Sequence, residues 1–185
     1  MKRIMCMIFL IFLLPGCARE NESLKKAMEL RADWITKEIQ FDAKITADYG
    51  DVQYTFSVSC EVDAAGNMSF IVTEPESICG ISGNISASGG KITFDGTALA
   101  FDLMADGLLT PVSAPWVLIK TLRSGYLSSC SQEADQLRLS IDDSYEEDAL
   151  HLEIWVGPDQ APNTAELYWQ GRRLLTVNVS NFVVS

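Results

Sequence analysis

The chain has 185 residues, of which 48% are hydrophobic and 21% charged, a composition typical of a globular domain and not of a disordered chain. Its formal net charge is −11, and removal of the two basic residues at the N-terminus would leave 12 basic and 25 acidic side chains, a net charge of −13. Because nucleic-acid binding depends on Lys and Arg displacing counterions, this charge argues against nucleic acid as a partner.

Residues 1–17 have the order of a bacterial lipoprotein signal. Two basic residues precede an apolar run at 4–14, which is too short to span a bilayer because a spanning helix needs about 20 residues. The sequence Leu-Pro-Gly then leads directly to Cys17. We therefore predict a signal peptide over residues 1–16, removed on export, and attachment of diacylglycerol to Cys17. Its two acyl chains would anchor the protein to a cell membrane or an outer membrane.

The mature chain is predicted to begin with the acylated cysteine and a polar tether at 17–23, followed by one domain at 24–185. A helix is predicted from about Glu22 to Glu38, because apolar residues recur there at spacings of three and four. We expect this stripe to pack on the rest of the domain. The stripe consists of Leu24, Met28, Ala32, Ile35 and Ile39, with Trp34 beside it.

From Phe41 onward apolar and polar residues alternate, which is the period of a half-buried β-strand. Gly-containing turns separate the alternating runs. One very apolar segment interrupts them and is predicted to be a helix, with Ser113 as its N-cap and Gly125 as its stop. The predicted strands are 41–47, 54–62, 68–73, 81–87, 91–94, 98–103, 126–130, 137–141, 149–156, 165–170 and 173–184.

These elements predict a mainly β (α+β) fold. We expect a curved antiparallel sheet, an unclosed half-barrel of about 11 strands, whose concave side is covered by an N-terminal helix and one inserted helix. The order of elements over 22–183, with the break from Pro75 to Ile81 and the segment from Leu109 to Trp116, resembles the half-barrel lipoprotein carriers of the LolA and LolB type and the RseB-type envelope sensors.

This resemblance implies an apolar cavity that holds acyl chains beneath a lid of helices. The soluble carrier of that family is unacylated, so the lipid predicted on Cys17 makes this chain look more like the anchored acceptor. If an outer membrane exists, Ala18 favours placement there, because the aspartate associated with inner-membrane retention is missing after the cysteine.

The function predicted from these features is binding of a hydrophobic ligand, an acyl chain or a lipid, on the concave side of the sheet. The alternative is an envelope sensor or protein-interaction module that uses the same scaffold without cargo, through a sheet edge or the acidic loop at 142–148. No particular protein partner is predicted. The candidate cavity residues are Phe56, Val58, Phe70, Val72, Phe94, Trp116 and Leu118.

The residue pattern argues against an enzyme and against a bound cofactor or metal. His151 is the only histidine and is expected on the surface, so no two-histidine metal site can form, and no Gly-x-Ser-x-Gly motif is present. The acidic cluster at 142–148 lacks the order of a calcium loop and is interpreted as a solvated loop. Among Cys60, Cys79 and Cys130, three different disulfides are possible, each of which would leave one thiol free; the other interpretation is that all three are small buried thiols.

Overall fold

The structure, a computed structural model, describes residues 16–105 and 108–185. The predicted signal peptide therefore lies outside the described residues, except for its last residue, Gly16. The helices are α1 (Gly16–Trp34) and α2 (Ala114–Ser124), and two short 3-10 helices span Glu76–Ile78 and Pro111–Ser113. The strands are β1 (Ile39–Asp48), β2 (Gln53–Val62), β3 (Met68–Glu74), β4 (Ser82–Ser86), β5 (Gly89–Phe94), β6 (Thr97–Phe101), β7 (Met104–Ala105), β8 (Leu108–Leu109), β9 (Tyr126–Glu133), β10 (Gln136–Asp142), β11 (Leu150–Val156), β12 (Pro162–Trp169) and β13 (Arg172–Val184).

Eleven strands form one antiparallel sheet in the order β6-β5-β4-β3-β2-β1-β13-β12-β11-β10-β9, and β7 pairs with β8 as a separate short hairpin. The strands β1 to β6 form one meander and β9 to β13 form another. The two meanders join where β1 pairs with β13. The end strands β6 and β9 do not pair with each other, so the sheet stays open. This arrangement confirms the predicted mainly β fold with an N-terminal helix and one inserted helix.

One face of the sheet, the inner face, carries most of the apolar core. On β1 every second residue is buried, while the residues between them are exposed or half-buried. The same face continues across neighbouring strands, because Ile45 lies opposite Phe56 on β2 and opposite Val177 on β13. Full burial of such a side chain contributes about 1.5–3 kcal/mol, so this continuous row is a main source of stability.

The two helices cover mainly one half of the inner face. The helix α1 contacts β9 and β10, and α2 contacts β10 and β13. In the part of the chain that the structure describes, β4, β5 and β6 make no contact of similar extent with either helix. Eight of the 11 residues of α2 are buried, which explains why its sequence is apolar on more than one side. The helices therefore leave the part of the sheet from β4 to β6 without extensive helix contacts.

The structure confirms the range predicted for the inserted helix, but Ser113 does not act as the predicted N-cap. Its side chain makes no capping hydrogen bond to the first turn of α2. The Ser113 hydroxyl donates instead to the carbonyl oxygen of Thr110 at 2.6 Å. The backbone of Ser113 is already in the helical region, whereas a capping residue usually has an extended backbone.

The sequence prediction chose the wrong face of the N-terminal helix as the buried one. Leu24, Met28 and Ile35 are 44%, 54% and 48% exposed, and Ala32 is exposed as well. Ile39 is not part of the helix, because it begins β1. The helix packs instead through a neighbouring stripe whose Trp34 ring meets Phe182 edge-on, with ring centroids 5.8 Å apart. The buried residues of this stripe are Ser23, Ala27, Leu30 and Trp34.

Two arginines join the ends of α1 and α2 reciprocally. Arg31 of α1 donates from Nε to the carbonyl oxygen of Leu122 at 2.7 Å and from Nη2 to that of Gly125, at the end of α2. Arg123 of α2 donates from Nε to the carbonyl oxygen of Trp34 at 2.9 Å, at the end of α1. Burial lowers the pKa of both guanidinium groups, although both remain charged. Each helix therefore places a positive charge at the C-terminus of the other helix, where the unpaired carbonyl groups and the helix dipole favour a cation.

Candidate ligand-binding cleft

An apolar cleft of about 350 Å³ opens on the part of the inner face that the helices leave uncovered. Its floor comes from β2, β3 and β5, and the segment 110–112 forms a wall. None of its ten lining residues carries a carboxylate, an amine, a guanidinium or an imidazole. The lining residues are Tyr54, Phe56, Phe70, Val72, Ile78, Ile81, Ile92, Thr110, Pro111 and Val112.

A glycine determines the shape of the cleft floor. Phe70 on β3 and Gly83 on β4 are direct cross-strand partners. A Cβ atom built on Gly83 would lie 2.6 Å from Cζ of Phe70 and 2.5 Å from the carbonyl oxygen of Lys91. Because glycine has no side chain there, the aromatic ring can lie against the sheet and fill the space, a known way to stabilise glycine within a strand.

Hydrogen bonds behind the cleft hold its wall. The Thr110 N–H donates to the carbonyl oxygen of Leu103 at 2.9 Å, and its hydroxyl donates to that of Asp102 at 2.8 Å. The Tyr49 hydroxyl donates to the carbonyl oxygen of Leu109 at 2.7 Å. Burial and the nearby Tyr54 raise the pKa of Tyr49, which keeps it protonated as a donor. Because these polar groups of the wall are hydrogen-bonded on the side away from the cleft, the wall presents apolar atoms to the cleft.

Exposed apolar side chains surround the cleft. Tyr54 and Ile78, which line it, are 53% and 36% exposed. Phe94 follows Ile92 by two residues on β5, so both lie on the inner face, and Leu99 of β6 is the cross-strand partner of Ile92. Phe94 and Leu99 are 58% and 66% exposed. A cluster of large exposed apolar residues beside a cleft is typical of a binding surface.

The structure brings some of the candidate cavity residues together. Phe56, Phe70 and Val72 line the cleft. Val58 lies on the same face of β2 but is buried, with 1% of its surface exposed. Phe94 lies beside Ile92 on the exposed rim and outside the lining.

The two candidates on α2 lie elsewhere. Leu118 is fully buried in the core. Trp116 lines a second groove, of about 340 Å³, between α2 and the turn from β2 to β3. Its indole N–H donates to the carbonyl oxygen of Gly66 at 2.9 Å, which ties α2 to that turn.

Sequence reasoning missed more than half of the cleft lining. Tyr54 and Ile92 could have been found, because each is two residues from a candidate on the same strand and so shares its face. Ile78 and the segment 110–112 lie in or beside short 3-10 helices, which are too short for a periodic pattern to indicate which way their side chains point. Their place in the cleft depends on how the chain crosses the sheet.

The single histidine lies on the outer face of the sheet, away from the cleft. His151 Nδ1 is 2.7 Å from Oδ1 of Asp142, and Nε2 is 3.0 Å from Oε1 of Glu153. Glu153 also accepts a hydrogen bond from Arg138 Nε at 2.8 Å. Partial burial of the ring opposes protonation, but the hydrogen bonds to Glu153 and Asp142 and their charges outweigh it and raise the pKa of His151. The histidine predicted to lie on the surface is therefore held between two carboxylates, those of Asp142 and Glu153.

This arrangement predicts a pH-dependent contribution to stability. Because the pKa of His151 is higher in the folded protein than the unfolded value of about 6.5, its stabilising effect is complete below about pH 6.5 and is lost as the pH rises through the folded pKa. In urea unfolding, the wild type should lose more stability between pH 6 and pH 8 than His151→Gln. Equal pH slopes for the two proteins would contradict the assigned role of His151.

The acidic segment at 142–148 connects β10 and β11, and its residues 145–148 are exposed, as predicted for a solvated loop. Asp143 lies 3.6 Å from Nζ of Lys120 on α2. Among the residues that the structure describes, no group of three or more His, Cys, Asp or Glu side chains could hold a metal ion. Cys60, Cys79 and Cys130 are thiols here, and burial strongly raises the pKa of Cys60.

No protein-family model and no curated protein matches the sequence. Among solved structures, an uncharacterized conserved protein from Thermus thermophilus aligns over 88% of each chain with a TM-score of 0.48 and 10% identity. A LolA superfamily protein from Nitrosomonas europaea aligns over 84% of this chain and 92% of its own, with a TM-score of 0.44 and 13% identity. The lipoprotein LppX from Mycobacterium tuberculosis aligns over 85% of this chain and 93% of its own, with a TM-score of 0.40 and 10% identity.

The chain is similar to these proteins in fold. Within the described ranges, no helix is long and apolar enough to cross a membrane.

Proposed function

We propose that the protein is an exported lipoprotein, anchored through Cys17, that binds an apolar ligand such as an acyl chain in the cleft. The main support for this proposal is the cleft lining, because ten residues without a charged group line an open cleft of about 350 Å³. This volume lies within the range of about 300–1,000 Å³ that is usual for small-molecule sites. Each methylene buried there would contribute about 0.8 kcal/mol.

The chemistry of the lining supports binding and not catalysis. Thr110 is the one lining residue with an aliphatic hydroxyl, and that hydroxyl already donates to a backbone carbonyl. No base lies among the lining residues to activate it, and none of them is a usual metal ligand. An alkyl chain requires none of these groups, whereas a charged or sugar-like ligand would leave its polar atoms unpaired against these walls.

A charge placed in the cleft should abolish binding of a fatty-acid probe. Ile92 lines the cleft, while Thr93, its neighbour on β5, is exposed and lies on the opposite face. We expect Ile92→Asp to weaken binding of a pyrene-labelled fatty acid at least tenfold, and Thr93→Asp to leave it within about twofold, because only the first carboxylate must lose its hydration on binding. Fluorescence titration of both variants, each checked by circular dichroism, measures this difference.

Native purification from membranes followed by lipid mass spectrometry identifies the ligand. Recovery of a stoichiometric lipid that is lost with Ile92→Asp supports carriage in the cleft. A protein that contains no lipid and binds the probe equally well in both variants would show that the cleft is not the site.

The alternative function, a protein-interaction module, is favoured by the edge strand β6. Its residues from Thr97 to Ala100 are exposed on both faces, and its outer edge is unpaired in the sheet. Such an edge can accept an added strand from another protein. A partner crosslinked in cells and lost with Leu99→Lys, together with an empty cleft, would favour this function over ligand binding.

Loss of Cys17 should release the protein from the membrane. Cys17→Ser prevents acylation, but the uncleaved signal could retain some protein, so the sharper test places residues 18–185 behind an ordinary secretory signal. We expect this form to be found in the soluble fraction with an unchanged circular dichroism spectrum, because α1 docks through residues from Ser23 onward. Its persistence in the membrane pellet after a high-salt wash would contradict anchoring through Cys17.

A further inference from the structure

The helix α1 has a second apolar stripe that does not pack on the domain. Leu24 and Met28 of α1, and Ile35 directly after its last residue, are about half exposed, at 44%, 54% and 48%. The core side of α1 is formed by other residues, with Ala27, Leu30 and Trp34 buried. The exposed row is therefore not required to hold the helix on the sheet.

The helical period places position 17 in line with the exposed apolar residues of this helix. Cys17 precedes Leu24 and Met28 by 7 and 11 residues. These spacings correspond to about two and three helical turns at 3.6 residues per turn. The helix is continuous from Gly16 to Trp34. At about 1.5 Å per residue, the position of Met28 lies roughly 17 Å along the axis from that of Cys17.

The charge of this region is compatible with a lipid surface, unlike that of the protein as a whole. Residues 22–38 contain four basic and four acidic side chains, whereas the chain from Cys17 onward has a net charge of −13. Part of this local charge is paired, because Lys25 lies 3.8 Å from Glu29 on α1, and Lys37, just beyond the helix, lies 2.8 Å from Asp33. Anionic lipid headgroups would repel most of the protein surface more strongly than this helix.

The apolar surface continues past the end of α1. Ile35 also lines the groove of about 340 Å³ beside α2, together with Trp116 and Ile119. Two cationic side chains, Lys120 and Arg123, line the same groove. Apolar residues next to cationic ones are typical of surfaces that lie at the level of lipid headgroups.

We propose that α1 lies along the bilayer surface, with Leu24, Met28 and Ile35 inserted among the lipids on the side from which the Cys17 acyl chains enter. This inference rests on the proposed anchoring through Cys17. The bilayer, and not a second copy of the chain, is the occupant, because the acyl chains proposed on Cys17 bring lipid to the start of this helix. A second copy would also bring another 13 negative charges close to the first. The anchor and the stripe would then hold the domain in one orientation.

Depth-dependent fluorescence quenching tests this orientation in the acylated mature protein. Single cysteines are introduced by Leu24→Cys or Met28→Cys, and by Lys26→Cys as the matched control on the opposite side of α1. Each is placed in a Cys79→Ser background, because Cys79 is exposed. Each protein is labelled with bimane and reconstituted into vesicles of phosphatidylcholine and phosphatidylglycerol that contain nitroxide-labelled lipid. The labelled background protein supplies the signal to subtract.

We expect quenching at positions 24 and 28 to be at least threefold stronger than at position 26. Equal quenching at the three positions, in protein that floats with the vesicles, would overturn the orientation of α1 while leaving the anchor intact. Protein that does not float with the vesicles would overturn the anchor and this inference together. Binding of the fatty-acid probe in the cleft is a separate measurement and does not depend on either result.

Discussion

Replacing Arg123 by alanine is expected to destabilise the protein by about 2–4 kcal/mol and to loosen α1 from α2. Its guanidinium donates to three backbone carbonyl oxygens, those of Trp34 at 2.9 Å, Asp63 at 3.0 Å and Lys37. A hydrogen bond from a charged donor contributes about 1.5–3 kcal/mol, and partial exposure of this site reduces the total because water can replace some of the bonds. Arg123 is the hydrogen-bond donor shared by the turn after β2 and the end of α1, so its removal disconnects these two segments.

Arg123→Lys should recover little of this stability. An ammonium is a single donor centre and cannot reach three carbonyl oxygens that a planar guanidinium spans. Arg31→Ala removes the reciprocal contact to the end of α2, so the double variant should lose less than the sum of the two single variants. Urea unfolding gives the free energies, and hydrogen exchange of the α1 amides reports undocking.

The exposed Arg172 on β13 provides the control for loss of a positive charge. We expect Arg172→Ala to change stability by no more than about 0.5 kcal/mol, as is usual for surface substitutions. If Arg123→Ala cost as little as Arg172→Ala, and the α1 amides stayed protected, the two arginines would not be what joins the helices.

Gly83→Ala is expected to cost about 2–3 kcal/mol and to change the cleft, a large effect for one methyl group. The new Cβ would lie 2.5 Å from the carbonyl oxygen of Lys91, which belongs to the β5 backbone, and 2.6 Å from Cζ of Phe70. Neither neighbour can yield easily, since one is part of the sheet and the other is buried with 4% of its surface exposed. Overpacking of this kind typically costs about 1–3 kcal/mol. Phe70 would be pushed into the cleft.

Gly90→Ala is the matched control within the same sheet. Its new Cβ would lie 2.1 Å from Cζ of Phe101, but the nearest atoms all belong to that half-buried side chain, which can rotate away. Thermal unfolding should therefore show a smaller loss for Gly90→Ala. Only Gly83→Ala should weaken binding of the fatty-acid probe. Similar losses for both glycine variants, with unchanged probe binding, would mean that the Phe70 ring is not held by Gly83.

The period of the strands was readable from the sequence because each strand buries one face. Alternation from Phe41 onward and the turns between the runs predicted the 11 strands of the large sheet, but not the short hairpin of β7 and β8, and the apolar segment after Ser113 predicted the inserted helix. These features depend on local periodicity, which adjacent residues carry by themselves. The signal predicted over residues 1–16 and the anchor proposed at Cys17 also come from the order of residues along the chain, and the fold does not test them.

Only the tertiary structure decided which apolar residues the core uses. In α1 two adjacent stripes satisfied the helical period, and packing of Trp34 against Phe182 selected one of them and left Leu24 and Met28 exposed. The cleft wall at 110–112, the carbonyl partners of Arg31 and Arg123, and the Asp142 carboxylate beside His151 all join residues that are distant in the chain or on different strands. Periodicity describes one element at a time, whereas these contacts depend on how the two meanders and the helices are placed together in space.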